Sequence, residues 1–359
     1  MENPVLKNEI ALNASFKLGE LILNQPKSLN SLDMNMVVIL EEALEQWRDD
    51  PNIVAILLRG AGDKSFCAGG NIKSARASAL KNPHGPCHEA EAFFKKEYKV
   101  DYTIHTYPKP IICLGHGFIM GGGMGLFQAA EFRLLMKNSV LAMPEISIGL
   151  FTDVGAGYFY NNLKYDIGLF LGLTGAQLQS SDAFFLGLCD AVIQNSSIEE
   201  VLLKLQDMSW SKDVLENRDK LKVICQTHFE TNLVQKSDIQ NHLKLIESIC
   251  QKKSLNEMVQ EIHKTTHSPF LNKASQTLKQ GSPISAHLIY HHLRNCKTKT
   301  LKETFDEDTK LSTACMRHPE FAEGVRALLI DKDNSPNWTY KTIEDVPEHL
   351  VIKMLGKLS

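Results

Sequence analysis

The sequence predicts an α/β fold, with an α/β core followed by a mainly helical C-terminal lobe. Three observations carry this. Short apolar, β-branched-rich runs alternate with stretches of helical period through the first half. Glycine clusters stand where strands would hand over to helices. Beyond about Asp190 strand signals nearly vanish, and Lys, Gln, Glu and Leu dominate helical patterns. A length of 359 residues suits two domains, or one domain with an elaborate lobe. The division expected is a core over 1–195 carrying the active site and a helical lobe over 196–359.

Each element follows in order. Leu18–Leu23 reads as a strand that Asn24-Gln25-Pro26 ends. From Asp33 to Trp47, the set Val37, Leu40, Leu44 and Trp47 recurs at helical spacing, with Ser31 or Asp33 as N-cap. Asp49-Asp50-Pro51 closes that helix, and Ile53–Leu58 is a buried-strand run. Arg59 to Gly70 reads as a loop leading into a helix-prone segment from Asn71. Glu89–His105 is helical and is stopped by Pro108 and Pro110. Ile111–Leu114 is a short strand; Gly115 to Gly125 is a glycine cluster before a helix over Leu126–Ala130. Strands are expected near Phe132–Met136 and Val140–Met143. Helical patterns then run from Ile198 to Lys279 and from Pro283 to Ile330, broken near Cys296–Thr300 and at His318-Pro319.

Composition narrows the function classes. With 39 Lys and Arg against 42 Asp and Glu, the net charge is −3, too balanced to hold a nucleic acid by charge alone. A hydrophobic share of 43% with 23% charged residues excludes a mostly disordered chain. No apolar run is long enough to span a membrane. Met1-Glu2-Asn3-Pro4 shows no basic or Arg-rich leader, and Gly356-Lys357-Leu358-Ser359 is not a peroxisomal address, so a cytoplasmic location is expected. Eight scattered cysteines without a Cys-x-x-Cys pair suit a reducing compartment and give no zinc ribbon. His287, His291 and His292 share a helical stretch but lack the carboxylate of a metalloprotease helix, so they read as an amphipathic face.

Three segments carry chemistry. Ser65-Phe66-Cys67-Ala68-Gly69-Gly70-Asn71 opens a helix, where unsatisfied backbone N–H groups and the helix dipole make an oxyanion or anion site. Taken alone it reads rather as a tight turn that simply needs glycines. His116 to Gly125 repeats the pattern; three successive glycines leave a bare backbone that a ligand carbonyl can approach, or allow close helix–strand packing. Met143 to Gly155 sets Glu145 and Asp153 eight positions apart among Met, Ile, Leu and Phe. Carboxylates are expensive to bury there unless paired or working; the plain alternative is two exposed loop carboxylates. Together the segments offer backbone donors and a carboxylate pair, the equipment for stabilising an enolate or tetrahedral oxyanion at a thioester carbonyl.

Phe66-Cys67-Ala68-Gly69-Gly70, Met120-Gly121-Gly122-Gly123 and Pro144-Glu145 resemble the signature of the crotonase (enoyl-CoA hydratase/isomerase) superfamily. Phe93 to Tyr98, Gly149 to Gly155 and Glu323 to Asp333 resemble its 3-hydroxyisobutyryl-CoA hydrolase branch, and Trp338 after Pro336 fits that branch's ending. The resemblance runs from Leu18 to Trp338 and is thinnest over about 195–280. It implies a crotonase-like spiral of ββα units and an oxyanion hole made by the N–H groups of Gly70 and Gly122. The two hydratase glutamates map to Gly125 and Glu145, so the first is missing. Asp153 stands where hydratases carry a glycine, which makes Glu145 and Asp153 the catalytic pair of the hydrolase branch. Glu97 maps to the glutamate that contacts substrate, and Gly122, Glu145 and Asp153 complete the substrate-binding set.

The implied reaction is hydrolysis of 3-hydroxyisobutyryl-CoA, a step of valine degradation, to 3-hydroxyisobutyrate and free coenzyme A. Asn71, in place of an aspartate after the double glycine, and Thr152, in place of a proline before Asp153, leave other short acyl-CoA substrates open. The alternatives are an enoyl-CoA hydratase or isomerase, against which Gly125 argues, and a non-catalytic acyl-CoA-binding relative. No metal or redox cofactor is implied, since coenzyme A arrives with the substrate. Superfamily members often trimerise through C-terminal helices; here a homo-oligomer and a lobe that covers that surface itself both stay open.

Overall fold

The apolar runs of the first half become the strands of two sheets. The computed structural model describes residues 3–12, 16–193, 198–227 and 237–356. The expected boundary at 195/196, part of the helical stretch expected over Ile198–Lys279 (228–236), and Met1-Glu2 and Lys357-Leu358-Ser359 lie outside them. The chain opens with β1 (Val5–Ala11), β2 (Lys17–Leu23), α1 (Met34–Arg48), β3 (Ile53–Gly60), β4 (Ser65–Cys67), α2 (Ile72–Lys81) and α3 (His88–His105). It continues through β5 (Ile111–Gly115), β6 (Phe118–Met120), α4 (Gly122–Ala129), β7 (Phe132–Met136), β8 (Val140–Ala142) and a 3-10 turn (Glu145–Ile148). Next come α5 (Ala156–Phe159), α6 (Gly168–Thr174), β9 (Leu178–Gln179), α7 (Ser180–Leu186) and β10 (Ala191–Ile193). The remaining described elements are helices: α8 (Ile198–Asp207), α9 (Val214–Thr227), α10 (Asp238–Cys250), α11 (Leu255–Lys264), α12 (Pro269–Gln280), α13 (Pro283–Cys296), α14 (Leu301–Met316), α15 (Pro319–Val325) and α16 (Glu348–Met354), with a short π-helix at Arg326–Ile330.

One sheet runs β1-β2-β3-β5-β7-β10, parallel except for the β1–β2 hairpin. The other runs β4-β6-β8-β9. The pairs β3-β4, β5-β6 and β7-β8 each give their first strand to the larger sheet and their second to the smaller. That repetition is the ββα spiral the resemblance implies.

The residues cluster into two compact units whose segments interleave along the chain. The first comprises Met1–Gly70, Lys99–Leu141 and Leu178–Ser237 and holds the sheets. Its core joins Leu57, Ile112 and Leu134 of the larger sheet to Leu205 of α8, Leu221 of α9 and Trp210 between them, all buried. α1 starts where Asp33 accepts the Met36 N–H at 2.9 Å, and it buries Met36, Val37, Leu40, Leu44 and Trp47.

The second unit comprises Asn71–Tyr98, Ala142–Gln177 and Asp238–Ser359. Its later helices open on hydroxyl N-caps, Ser254, Ser268, Ser282 and Thr300, each accepting a first-turn N–H. α13 packs on α5 and α6, and Asn161 donates to the Leu293 carbonyl at 2.8 Å. Arg76 of α2 donates to the Ala322 carbonyl at 2.9 Å, and the Cys87 thiol to that of Met316 at 3.3 Å. This division differs from a single cut near residue 195. α8 and α9 bury their apolar faces on the sheet, whereas α13 buries its face on short helices supplied by the first half.

Among the described residues no helix is long and apolar enough to cross a membrane. All eight cysteines are buried thiols.

Candidate active site

In the first unit the two glycine loops run side by side. β4 leads into Ala68-Gly69-Gly70, and Gly69 adopts φ +102, a left-handed conformation that glycine reaches without strain. The Ala68 N–H donates to the Leu29 carbonyl at 3.0 Å, and the Leu32 N–H to that of Gly69 at 2.9 Å. Buried Asn30 braces the same loop by donating to the carbonyls of Ala61 and Ser65, both at 2.9 Å. A methyl group placed on Gly69 would lie 3.2 Å from the Met120 carbonyl oxygen and 3.8 Å from the Gly122 nitrogen. One on Gly123 would lie 2.2 Å from the Cys67 carbonyl oxygen, so only glycine fits. Gly122 is the first residue of α4, and its N–H belongs to the turn that has no intrahelical acceptor. Gly70 and Gly122, the expected donors, therefore stand on adjoining loops, with the positive end of α4 at the second. Gly125 lies buried further along the same helix.

The second unit gathers the carboxylates. Glu97 and Tyr98 lie in the middle of α3. Glu145 opens the 3-10 turn, which Gly149 ends at φ +68 with its N–H on the Glu145 carbonyl. A side chain at Gly149 would run into the Glu320 backbone at 2.5 Å, which fixes this corner. Asp153 follows on a bend at which Val154 and Gly155 take φ values of +50 and +82 before α5 begins. Glu97, Glu145 and Asp153 are 2%, 4% and 3% exposed, which overturns the plain alternative of exposed loop carboxylates.

Their protonation follows from burial and crowding. Burial pushes the Glu145 carboxyl well above its usual range, and the charges of Asp153 and Glu97 push it further. Burial and Asp153 do the same to Glu97. Burial also carries Asp153 up to about 7, although the Tyr98 hydroxyl donates to its Oδ2 at 2.6 Å and opposes the rise. Glu145 Oε2 and Glu97 Oε1 are buried with no protein hydrogen-bond partner among the described residues. Buried acceptors left open in this way mark where a substrate or water is to bind.

The sequence points to Glu97, Glu145 and Asp153 but gives no functional role to Tyr98, His292 or Asp308. His292 lies on the buried side of that amphipathic helix. It is buried 2.9 Å from Asp308, while His287 faces the Ile343 carbonyl oxygen at 3.0 Å. Tyr98 adjoins Glu97 at the end of the Phe93–Tyr98 segment, which is its signal; Asp308 carries no local signal, since its partners Gly155 and His292 lie elsewhere in the sequence.

The family described as enoyl-CoA hydratase/isomerase matches residues 18–355. The chain is 36% identical over 354 residues to a 3-hydroxyisobutyryl-CoA hydrolase, mitochondrial, of Danio rerio, covering 98% of this chain and 90% of that one. It is 34% identical over 348 residues to the Homo sapiens protein of the same name, covering 95% and 86%. Among solved structures, an enoyl-CoA hydratase from Rhodobacter sphaeroides 2.4.1 superposes with a TM-score of 0.85 at 27% identity, over 99% of this chain and 98% of that one.

Proposed function

The chain belongs to the enoyl-CoA hydratase/isomerase family, of the crotonase superfamily, and from that premise we propose that it hydrolyses an acyl-CoA thioester. The substrate proposed is 3-hydroxyisobutyryl-CoA or another short β-hydroxyacyl-CoA, the substrate class named for the relatives. The observation that carries this reading is the buried pair Glu145 and Asp153, with one Glu145 oxygen unpartnered, on a chain that has Gly125 in place of the first hydratase glutamate.

In this mechanism the N–H groups of Gly70 and Gly122 donate to the thioester oxygen as negative charge develops on it. Glu145 attacks the carbonyl carbon in its ionised form, having given up any proton to solvent beforehand; the carbon–sulfur bond breaks, and the departing thiolate takes the proton of Asp153. Asp153, now ionised, accepts a proton from the water that opens the mixed anhydride, which frees the acid and restores Glu145. A carboxyl held near 7 serves both steps, because it gives and takes a proton at neutral pH. In the shorter variant Glu145 deprotonates water that attacks the thioester directly. Glu97, whose carboxyl burial and the charge of Asp153 push well above its usual range, orients the β-hydroxyl of the acyl group. Backbone donors and carboxylates complete this chemistry, with coenzyme A arriving as part of the substrate. The relatives do not support the expected cytoplasmic location, since their names read mitochondrial.

The test is free-thiol release across a panel of branched and linear β-hydroxyacyl-CoAs. Thiol release is expected, with Glu145→Gln at least about 100-fold slower while acyl-CoA binding persists. Double-bond chemistry without thiol would make the chain a hydratase or isomerase, and binding without either a non-catalytic relative. In a single turnover in 18O-labelled water, label on Glu145 identifies an anhydride opened at the Glu145 carbonyl carbon; label only in the released acid fits direct attack or opening at the acyl carbon, which hydroxylamine trapping of an acyl-Glu145 separates.

A further inference from the structure

Asp153 sits on a bend that its own sequence does not favour. Val154 is β-branched, yet it takes φ +50, a region such residues rarely enter, and Gly155 follows at φ +82. A bend of this kind persists only where its surroundings hold it. The holding group comes from α14. Asp308, fully buried, accepts the Gly155 N–H on Oδ2 at 2.8 Å. Its other oxygen stands 2.9 Å from Nε2 of His292 on α13, which is 3% exposed. One turn before Asp308, Phe305 closes on the bend from the side; a methyl group on Gly155 would meet its ring at 2.9 Å. The Phe151 ring, two residues before Asp153, packs edge-to-face with the His292 imidazole, centroids 4.9 Å apart.

None of these groups enters the chemistry set out above. A charged pair this deeply buried is costly, and a well-packed apolar pair would often serve stability as well or better. Burial alone would lower the His292 pKa, but Asp308 and the Cys296 sulfur beside it together outweigh burial and raise it to about 10, so the imidazole is charged at neutral pH. The charge on Asp308 strengthens its hold on a backbone donor, since charge-assisted hydrogen bonds are roughly twice as strong as neutral ones.

We infer that Asp308 and His292 are positioning residues: the Asp308 carboxylate, held in place by His292, clamps the Gly155 N–H and so fixes the strained 153–155 bend that presents Asp153 against the Tyr98 hydroxyl. The inference rests on the thioesterase reading for its catalytic consequence, but the clamp itself is a statement about one backbone amide.

Two readouts on Asp308→Asn test it. The substitution keeps the shape and one acceptor oxygen but removes the charge. In the full chain, hydrogen–deuterium exchange over 151–157 reports the clamp whatever the reaction. Exchange at Gly155 is expected to quicken by about tenfold or more, while α4 stays protected. With the best acyl-CoA of the panel, kcat is expected to fall about 10- to 100-fold with KM within about twofold, since substrate binding is not what the clamp serves. A purely structural role would instead lower the melting temperature and leave kcat per folded molecule unchanged. Unchanged exchange at Gly155, or a folded variant with wild-type kcat, overturns the proposal. Where Asp308→Asn does not fold, His292→Gln decides. Its amide can still donate to Asp308 but carries no charge, so a partial kcat loss and intermediate exchange are expected, and wild-type values in both would overturn it. Absence of thiol release by the wild-type chain would overturn the functional reading while exchange still decides the clamp.

Discussion

Replacing Glu145 with glutamine removes a carboxyl that burial and the charge of Asp153 both disfavour as an anion. Its folded pKa lies above the unfolded value of 4.5, so the unfolded chain ionises first as pH rises. The group therefore contributes its stability at acid pH and loses it as pH climbs from about 4.5 through the folded pKa. Glu145→Gln abolishes that loss, so the variant is expected to melt about 1–3 °C above wild type at pH 8, with the gap closing towards pH 4. A difference in melting temperature that does not change with pH would mean that the carboxyl is not strained. Asp153→Asn tests the crowding from the other side. Asp153 is the charge that most raises Glu145, so residual thiol release in this variant should keep its acid limb at a lower pH than wild type. A limb that stays in place would show the two carboxyls to be independent. At this scale the sequence exposed Glu145 and Asp153 because charge amid apolar residues is locally visible. The Asp308 contact was hidden, because Gly155 and Asp308 lie 153 positions apart.

The long helices were readable, while the strands were read unevenly: the three-residue β8 was expected but the seven-residue β1 was not. α1 appears where the apolar spacing puts it, with Asp33 as its cap, and α3 covers the helical stretch expected over Glu89–His105. β4 and β6 fall inside segments read as a loop and a glycine cluster, since three residues carry no measurable alternation. α4 was expected to begin at Leu126 but begins at Gly122, because the glycines serve close packing on the Cys67 carbonyl rather than breaking the helix. This separates two neighbouring glycines by experiment. Gly122 is helical and needs no left-handed backbone, so Gly122→Val should fold with a melting temperature within a few degrees of wild type. Turnover should nonetheless drop at least about tenfold as the side chain fills the space a thioester oxygen must reach. Gly123→Ala should instead lose stability outright, since its methyl would sit 2.2 Å from a backbone oxygen. Thermal melting paired with thiol release distinguishes the two, and a folded, fully active Gly122→Val would remove Gly122 from the oxyanion hole.

The composition shift near residue 190 is real at the level of secondary structure, since the described elements beyond β10 are helices. It does not follow that those helices form a body of their own. Composition reports which element a segment prefers; it does not report the partner against which that element buries its apolar face. α8 and α9 cover sheet residues such as Leu57, Ile112 and Leu134, which all precede residue 190. In the second unit, α13 lies on α5 and α6, and the carboxylate of Asp308 is spent on Gly155. Arg317 pairs with Glu91 of α3 at 2.8 Å, and Ala322 takes its hydrogen bond from Arg76 of α2. Cut away from residues 1–195, the C-terminal segment would expose these apolar faces and leave Asp308 and His292 without the bend they hold. A fragment of residues 196–359 is therefore expected to show helical circular dichroism but no cooperative thermal transition, and to bind a dye that reports exposed apolar surface. Mixing it with a separately produced 1–195 fragment should restore a cooperative melt and, with it, thiol release. A 196–359 fragment that melts cooperatively on its own would instead establish the segment as an independent lobe, and the interleaved units would then describe contacts rather than folding.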